Sequence, residues 1–383
     1  MRVKLAWLMA YGGPYPGSSI PLLRAALGAA EERGWEAMAV FGEEARHRPW
    51  LAELRSDGYR AEVTEASWRG AGRCAAELVD AGPPATILHT HYSRFDVPAA
   101  LRSLRAPRPR PPVFWHVRTA LKTSVAVRAK GAAKFGAVGR TVDGIFTPST
   151  DLRRQVIQRG ARAADVHVLP HGLDTERFSL ATIEDRHAAR RELGLDEQAT
   201  VLLHFGWDWH RKGGDLMLEA VRLLIDDPDR ATNGITVLSS QGGDQARELA
   251  SRLGIADRVR VLPATDRVET LYAAADVMLA TSRAEGGMPP FAVAEALSRG
   301  TAVVATDIPD HAFAAERTPA CRLAPHSPPA IAAVVGETLA RPDEQVGEEA
   351  ELGHAWIVRE KGMAAWVAGM FGYYEEALAR RGH

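Results

Sequence analysis

The chain has 383 residues, 46% of them apolar, and a formal net charge of −1. That is enough for two cored domains of ordinary size, and it offers no global electrostatic reason to bind nucleic acid or an acidic membrane. Two cysteines, Cys74 and Cys321, are too few for a disulfide scaffold or a thiolate metal site, and the 13 histidines form no HExxH and no compact cluster in the sequence.

Val3 to Met9 is the first predicted strand. This apolar run is too brief for a membrane span and carries no signal-peptide pattern, so a cytoplasmic location is expected. Tyr11 to Ser19 follows as a glycine-rich loop, and Ile20 to Arg33 as a helix whose apolar positions recur every three or four residues. Gly34 ends it, and Trp35 to Phe41 is the second strand. A glycine loop between strand and helix lets backbone approach a phosphate or sugar closely, which marks Gly13, Gly17 and Ser18, although the run is not GxGxxG. Residues 43–64 are polar and yield no element, and 69–80 reads as a helix. Thr86 to Thr90 is a strand leading into His89-Thr90-His91. The two histidines share one face if the strand continues, and such residues are structural as often as functional. Val97 to Leu104 is a helix, and the basic run 101–110 reads as a solvated loop. Pro111 to Val117 is a strand that delivers His116 and Arg118 on one face. The plainer alternative packs His116 against Trp115 with a backbone hydrogen bond. Gly144 to Pro148 is a strand. Ser149 or Thr150 caps a helix running to Arg159 and ended by Gly160. Asp165 to Leu169 closes this half and leads into Pro170-His171-Gly172-Leu173-Asp174 and Phe178.

In the second half, Val201 to Phe205 is a strand, Gly206 to Gly213 a loop, and Asp215 to Leu224 a helix. A cation fixed in such a loop neutralises a departing diphosphate without a metal, which marks Lys212; the alternative is a solvated basic turn. Ile235 to Ser239 and Val259 to Leu262 are strands, Asp266 to Ala274 a helix, and Val277 to Leu279 a strand. Gly286 to Pro290 forms a rigid loop before a short helix, Phe291 to Leu297, which Gly300 stops before the strand Thr301 to Ala305. Loops at the carboxyl ends of parallel strands bind ligands, and a helix start suits an anion. Glu285 at the mouth of this loop and Glu295 in the helix suit paired hydroxyls, as on a ribose or hexose. Otherwise Glu285 is solvated and Glu295 is paired locally. The polar groups of Asp307 to His311 are further sugar-binding candidates, Pro328 to Leu339 is helical, and Met363 to Arg380 is a helix with an apolar face.

The stretch from Met278 to Asp307 resembles the C-terminal signature of the GT4 family of retaining glycosyltransferases. Ser282, Glu285, Gly286 and Glu295-Ala296 match, with nine residues between the two glutamates where the family usually has seven. Gly206…Lys212-Gly213 and Pro170-His171-Gly172-Leu173-Asp174…Phe178 resemble two more family motifs, with Trp207 where an Arg is frequent and His171 in place of Asn. The resemblance implies an α/β, GT-B chain of two Rossmann-like domains facing a central cleft. Residues 1–180 would bind acceptor and 181–360 the nucleotide sugar, and 361–383 would be a helix packing back on the first domain.

The resemblance further implies transfer of a hexose-type sugar, with retention, from a nucleoside diphosphate sugar (UDP or GDP) to a hydroxyl of a small polar, sugar or cyclitol acceptor. No cofactor and no metal are implied. In these roles Lys212 and Arg211 hold the diphosphate, Glu285 the transferred hexose and Glu295 the ribose. Gly206, Gly287, Met288, Pro289, Gly17 and Ser18 bring backbone to the donor. His116 contacts the sugar, and His89, His91, Arg118 and Tyr15 lie on the acceptor side. The chain is expected as a monomer or homodimer, with no nucleic-acid partner and no integral membrane segment; the 101–110 run leaves peripheral membrane contact open. A GT-B-fold sugar-nucleotide epimerase and a non-catalytic sugar-nucleotide binder are the alternatives.

Overall fold

The computed structural model describes residues 2–81, 85–118, 121, 125–227 and 234–382. They form two compact units, Met1–Gly172 with Met363–His383, and Leu173–Gly362. The division falls ahead of residue 180 because Leu173 and Phe178 are buried in the core of the second unit.

Among the described residues the first unit has seven strands, β1 (Val3–Met9), β2 (Glu36–Gly42), β3 (Ala61–Thr64), β4 (Ala85–His91), β5 (Val113–His116), β6 (Gly144–Thr147) and β7 (Val166–Val168). They pair in parallel in the order β3-β2-β1-β4-β5-β6-β7. Parallel sheets are covered on both faces, so central strands read as unbroken apolar runs. VKLAWLM in β1 is such a run, and every residue of it is buried. Trp7 alone, fully buried, contributes roughly 2–3 kcal/mol of apolar burial. Helices connect the strands, beginning with Ser19–Glu32 after β1. The strand β3 and the helix Pro49–Ser56 lie in the segment that yields no element by sequence. β3 is a half-exposed edge strand, so its AEVT shows little apolar signal.

The helix Met363–Arg381 belongs to this first unit. It buries Trp366, Met370, Phe371 and Tyr374. The Tyr374 ring packs edge-on to Phe114 at 5.0 Å, and Phe371 lies 5.3 Å from Trp35. Arg381 anchors its end with two hydrogen bonds to Asp143, at 2.7 and 2.8 Å.

The second unit has six described strands, β8 (Val201–Phe205), β9 (Thr236–Ser240), β10 (Val259–Leu262), β11 (Val277–Ala280), β12 (Ala302–Thr306) and β13 (Cys321–Ala324). Their order is β10-β9-β8-β11-β12-β13, again all parallel. The long helix Asp343–Lys361 packs here, burying Trp356 and Ile357. Among the described residues no helix is long and apolar enough to cross a membrane.

Candidate functional site

An open α/β sheet binds ligands where its strand order reverses. In the second unit that point lies between β8 and β11, because β9 and β10 lie to one side of β8 and β11 to β13 to the other. The loops leaving these two strands carry Lys212 and Glu285. After β8, Lys212 N–H donates to Asp208 O at 2.8 Å and Gly214 N–H to Trp209 O at 3.0 Å, winding the loop into turns. Gly213 follows at φ 64°, and a Cβ there would sit 2.0 Å from Thr281 O. Only glycine lets the loop lie so close to the end of β11. Thr281 Oγ1 binds the carbonyls of Lys212 and Gly213 at 3.0 and 2.8 Å, and His204 Nε2 donates to Lys212 O at 3.1 Å. Burial pushes His204 down to about 4, which keeps it neutral with its Nε2–H as the donor. The backbone beneath Lys212 is therefore fixed from two strands.

The two loops meet through side chains. Lys212 Nζ donates to Glu285 Oε1 at 2.5 Å, Ser282 Oγ donates to the same oxygen at 2.6 Å, and Arg211 Nη1 lies 3.5 Å from Oε2. The Lys212 and Glu285 side chains are only 11% and 9% exposed. Burial acts to raise the Glu285 carboxyl, but Lys212 charge and the two hydrogen bonds outweigh it and hold the group below its usual range. Arg211 is aimed by Asp208 at 2.8 Å and by Ala284 O at 3.1 Å. Trp207, 58% exposed, spreads beside both cations, its ring 4.5 Å from the Arg211 guanidinium and 5.5 Å from Lys212 Nζ. Where an arginine was the frequent residue, the chain thus has an aromatic face on its two basic neighbours.

Pocket walls around this cluster include His204, Phe205, Ser282, Pro290 and His311. The sequence placed His311 only among the sugar-binding candidates of 307–311. The structure shows its Nδ1 donating to Thr306 O at 2.8 Å, its Nε2 buried with no partner among the described residues, and burial pushing it down to about 4. Glu295 lies in the helix Phe291–Arg299. Its Oε2 accepts from Tyr272 OH at 2.7 Å, and its Oε1 has no partner among the described residues. Burial raises its pKa, with the Tyr272 hydrogen bond acting the other way. The locally paired reading of Glu295 is thus met in part, and one oxygen remains for a ligand. Gly287, Met288 and Pro289 form the turn before that helix, whose N-cap, Pro290, makes no side-chain cap. Gly206 sits where a Cβ would lie 3.0 Å from Gly242 Cα, so its role on view is close backbone approach.

In the first unit the order reverses between β1 and β4, and the remaining candidates gather at those carboxyl ends. Parallel registry sets Trp7 beside His89 and Met9 beside His91, and on the next strand His116 beside His91. The rings stack: Trp7 lies 4.4 Å from His89, His89 is 4.6 Å from His91, and His91 is 4.7 Å from His116. Burial holds His89 down to about 3 and His91 and His116 well below their usual value. His89 is fully buried and its Nδ1 meets the Tyr374 hydroxyl, so it belongs to the core rather than to an open acceptor surface. The His116 ring makes no hydrogen bond to backbone; both of its nitrogens are buried without a partner among the described residues. Ring nitrogens of His89, His91 and His116 come within 4.8 Å of one another. Imidazole lone pairs lie in the ring plane, and these rings are tilted by only 15° to 32°. Their lone pairs therefore run side by side instead of converging on one ion.

β5 ends at His116, so the expected continuation of one strand face to Arg118 does not occur. Arg118 turns instead to the loop after β1, donating to Ser19 Oγ at 3.2 Å and Ser18 Oγ at 3.4 Å. Gly17, at φ 51°, turns the chain into the helix there. Tyr15 is 44% exposed, and its carbonyl accepts from Tyr11 OH at 2.7 Å. It joins neither Arg118 nor the histidine stack.

Two family models match the chain, Glycosyltransferase Family 4 over residues 34–177 and Glycosyl transferases group 1 over residues 199–341. A D-inositol 3-phosphate glycosyltransferase of Geodermatophilus obscurus is 40% identical over 179 residues, which are 43% of this chain and 38% of that protein. The lipopolysaccharide core biosynthesis mannosyltransferase LpsB of Rhizobium meliloti is 32% identical over 148 residues, 37% of this chain and 40% of that protein. The matches span about two fifths of these relatives. Among solved structures, Anabaena HepE in complex with UDP superposes with a TM-score of 0.80 at 18% identity, covering 98% of this chain and 100% of that one. A glycosyltransferase of Rickettsia africae gives 0.82 at 11% identity, covering 98% and 99%. The fold is the GT-B fold.

Proposed function

The chain belongs to the GT4 family of glycosyltransferases, and from that premise we propose that it transfers a hexose-type sugar, with retention, from a nucleoside diphosphate sugar to a hydroxyl of a small polar acceptor. The observation that carries the proposal is the Lys212–Glu285–Ser282 cluster, with Arg211 beside it, at the strand-order reversal of the second unit.

Lys212 and Arg211 are fixed before any ligand arrives. They offer two cations to the charge that builds on a leaving diphosphate, and preorganised charge of this kind needs no rearrangement during the reaction. Without donor, Glu285 neutralises Lys212. A bound diphosphate competes for that ammonium, which frees Glu285 oxygens for hydroxyls of the transferred sugar. The open oxygen of Glu295 accepts from a ribose hydroxyl, and the turn at 286–290 brings backbone N–H groups to the donor. With donor bound, the Glu285 oxygens are taken up by Ser282 Oγ and the sugar hydroxyls, so Glu285 is poorly disposed to attack the anomeric carbon. Front-face transfer follows: the bond from the anomeric carbon to the diphosphate breaks, the acceptor oxygen bonds to the same face, and its proton passes to the departing diphosphate. No metal ion is needed in this scheme, and UDP and GDP are the donor nucleotides it favours. The UDP bound in HepE supports a nucleotide site in this fold.

Calorimetry with UDP, GDP and ADP, each with EDTA, tests the donor half. Failure of all three to bind would sink the proposal. NMR of the product from the donor so identified reads the anomeric configuration, and inversion would refute the retaining scheme.

A further inference from the structure

We infer that the first unit holds an oxyanion subsite, built on Arg118, Ser18, Ser19 and Tyr92, that takes a phosphate or carboxylate carried by one of the two substrates. The inference rests on the glycosyltransferase reading for its biological use, but the subsite stands on its own geometry. Arg118 is a partly buried guanidinium with no carboxylate partner among the described residues. Its partners among the described residues are two serine hydroxyls and the Tyr92 ring, whose centre lies 5.7 Å away. Hydroxyls give a guanidinium hydrogen bonds but no counter-charge, and a desolvated charge without one is costly. Protein packed around Arg118 does disfavour its charge, partly offset by Tyr92 and Tyr11.

Four further features bear on it. Ser19 Oγ and Tyr92 OH are 2.6 Å apart, so each hydroxyl is already oriented by the other. Tyr92 and Ser93 both have positive φ, 61° and 65°, and this bend after β4 brings the Tyr92 ring beside Tyr11 at 5.8 Å. Ser18 is the N-cap of the helix Ser19–Glu32, makes no side-chain cap bond, and no acidic residue occupies the first turn. The helix start therefore offers partial positive charge that no side chain of its own offsets. A second guanidinium, Arg48, also bears on Tyr11, has its Nε buried without a partner and no acid partner among the described residues. Glu44 pairs with Arg94 through Oε1 at 2.6 Å, and its Oε2 has no hydrogen-bond partner among the described residues. A bidentate anion would supply what Arg118 lacks, a charged acceptor matched to its fork. An uncharged sugar would leave it without one.

Inorganic phosphate is the probe. Calorimetry on the full-length Lys212→Gln variant removes the main cation of the other site, so residual phosphate binding reports the first unit. Adding Arg118→Gln is expected to weaken that binding by about 10- to 100-fold, the range for a charged hydrogen-bonded contact, and Arg118→Lys by less. Circular dichroism checks that each variant is folded. If Arg118→Gln does not fold, the Arg118→Lys comparison decides. Binding that is undetectable in Lys212→Gln, or equal with and without Arg118, overturns the inference whether or not the chain transfers sugar. Kinetics then separate the sources. Arg118→Gln raises KM for a phosphorylated acceptor over its dephosphorylated form if the acceptor bears the anion. It raises KM for a hexuronate donor over a hexose donor if the transferred sugar does. If all substrates are affected equally, no substrate anion is held at Arg118 and the inference fails. Absence of transfer with every pair, alongside Arg118-dependent phosphate binding, instead refutes the enzymatic reading and leaves the subsite.

Discussion

Removing Lys212 should damage stability and chemistry by separable routes. In Lys212→Ala, Glu285 keeps Ser282 at 2.6 Å and Arg211 at 3.5 Å but loses its 2.5 Å ammonium in a site where it is 9% exposed. Removing one partner of a buried ion pair costs about 3–5 kcal/mol. The two remaining donors put this case at the lower end, about 3 kcal/mol. For a unit of this size that lowers Tm by about 6–12 °C. The chemical loss adds to it: without its main cation beside the diphosphate, kcat should fall by about two to three powers of ten. The double variant Lys212→Ala/Glu285→Gln removes the stranded charge, so its Tm should recover most of the loss while kcat stays low. Scanning calorimetry and a product assay on the wild type, the single variants Lys212→Ala and Glu285→Gln, and the double variant complete the cycle. Recovery of activity together with stability would show that Lys212 serves only to neutralise Glu285, and the diphosphate role would be refuted. A rise in KM at unchanged kcat would assign Lys212 to uniform substrate binding.

Glu295→Gln should raise Kd for the nucleotide by about 3- to 30-fold with little change in kcat, because the contact proposed for it is to a non-reacting ribose; an unchanged Kd by calorimetry would exclude the ribose role. Gly213→Ala places a Cβ against Thr281 O and demands φ 64° of a residue that avoids it, so it should lower Tm and weaken UDP binding together. Normal UDP affinity in that variant would show that the loop does not depend on the close approach. The buried neutral histidines of the first unit set a pH dependence. Their folded pKa values lie below the usual 6.5, at about 3 for His89. As pH falls below 6.5 the unfolded chain gains protons that the folded unit refuses, so their contribution is full above that pH and is lost progressively towards about 3. Tm should drop between pH 7 and pH 5, and His91→Phe should blunt the drop; identical profiles for both proteins would refute the account.

The alternation of strand and helix was legible because parallel strands buried on both faces leave continuous apolar runs, as in β1 and β11. The segment 43–64 was not, because an edge strand and a short helix bury too little to pattern their residues. Lys212 and Glu285 could be marked singly from their loops, and Glu295 from the helix that follows the second loop. That Lys212 and Ser282 share one oxygen of Glu285 could not, since Lys212 and Glu285 stand 73 residues apart and the meeting depends on strand order. The same holds for His89 and Tyr374, 285 residues apart. Arg118 was read as a strand residue on the face of His116, and only the end of β5 shows that it serves a different loop.

The second unit is one unbroken segment, whereas the first is assembled from both ends of the chain. Leu173 and Gly362 form a parallel bridge, and Leu173 N–H donates to Lys361 O at 2.7 Å, so the segment enters and leaves the second unit at neighbouring points. Topologically it is an insertion, whose adjoining ends suit excision as a self-contained fragment. On the ribosome the order of completion is reversed relative to the sequence. Residues 1–172 emerge first but must wait, with the groove for Phe371 and Tyr374 unfilled, until the whole insert has been synthesised. The second unit has no such dependence and can finish while its predecessor is still open, which makes the early N-terminal half the part of the nascent chain most in need of chaperone cover.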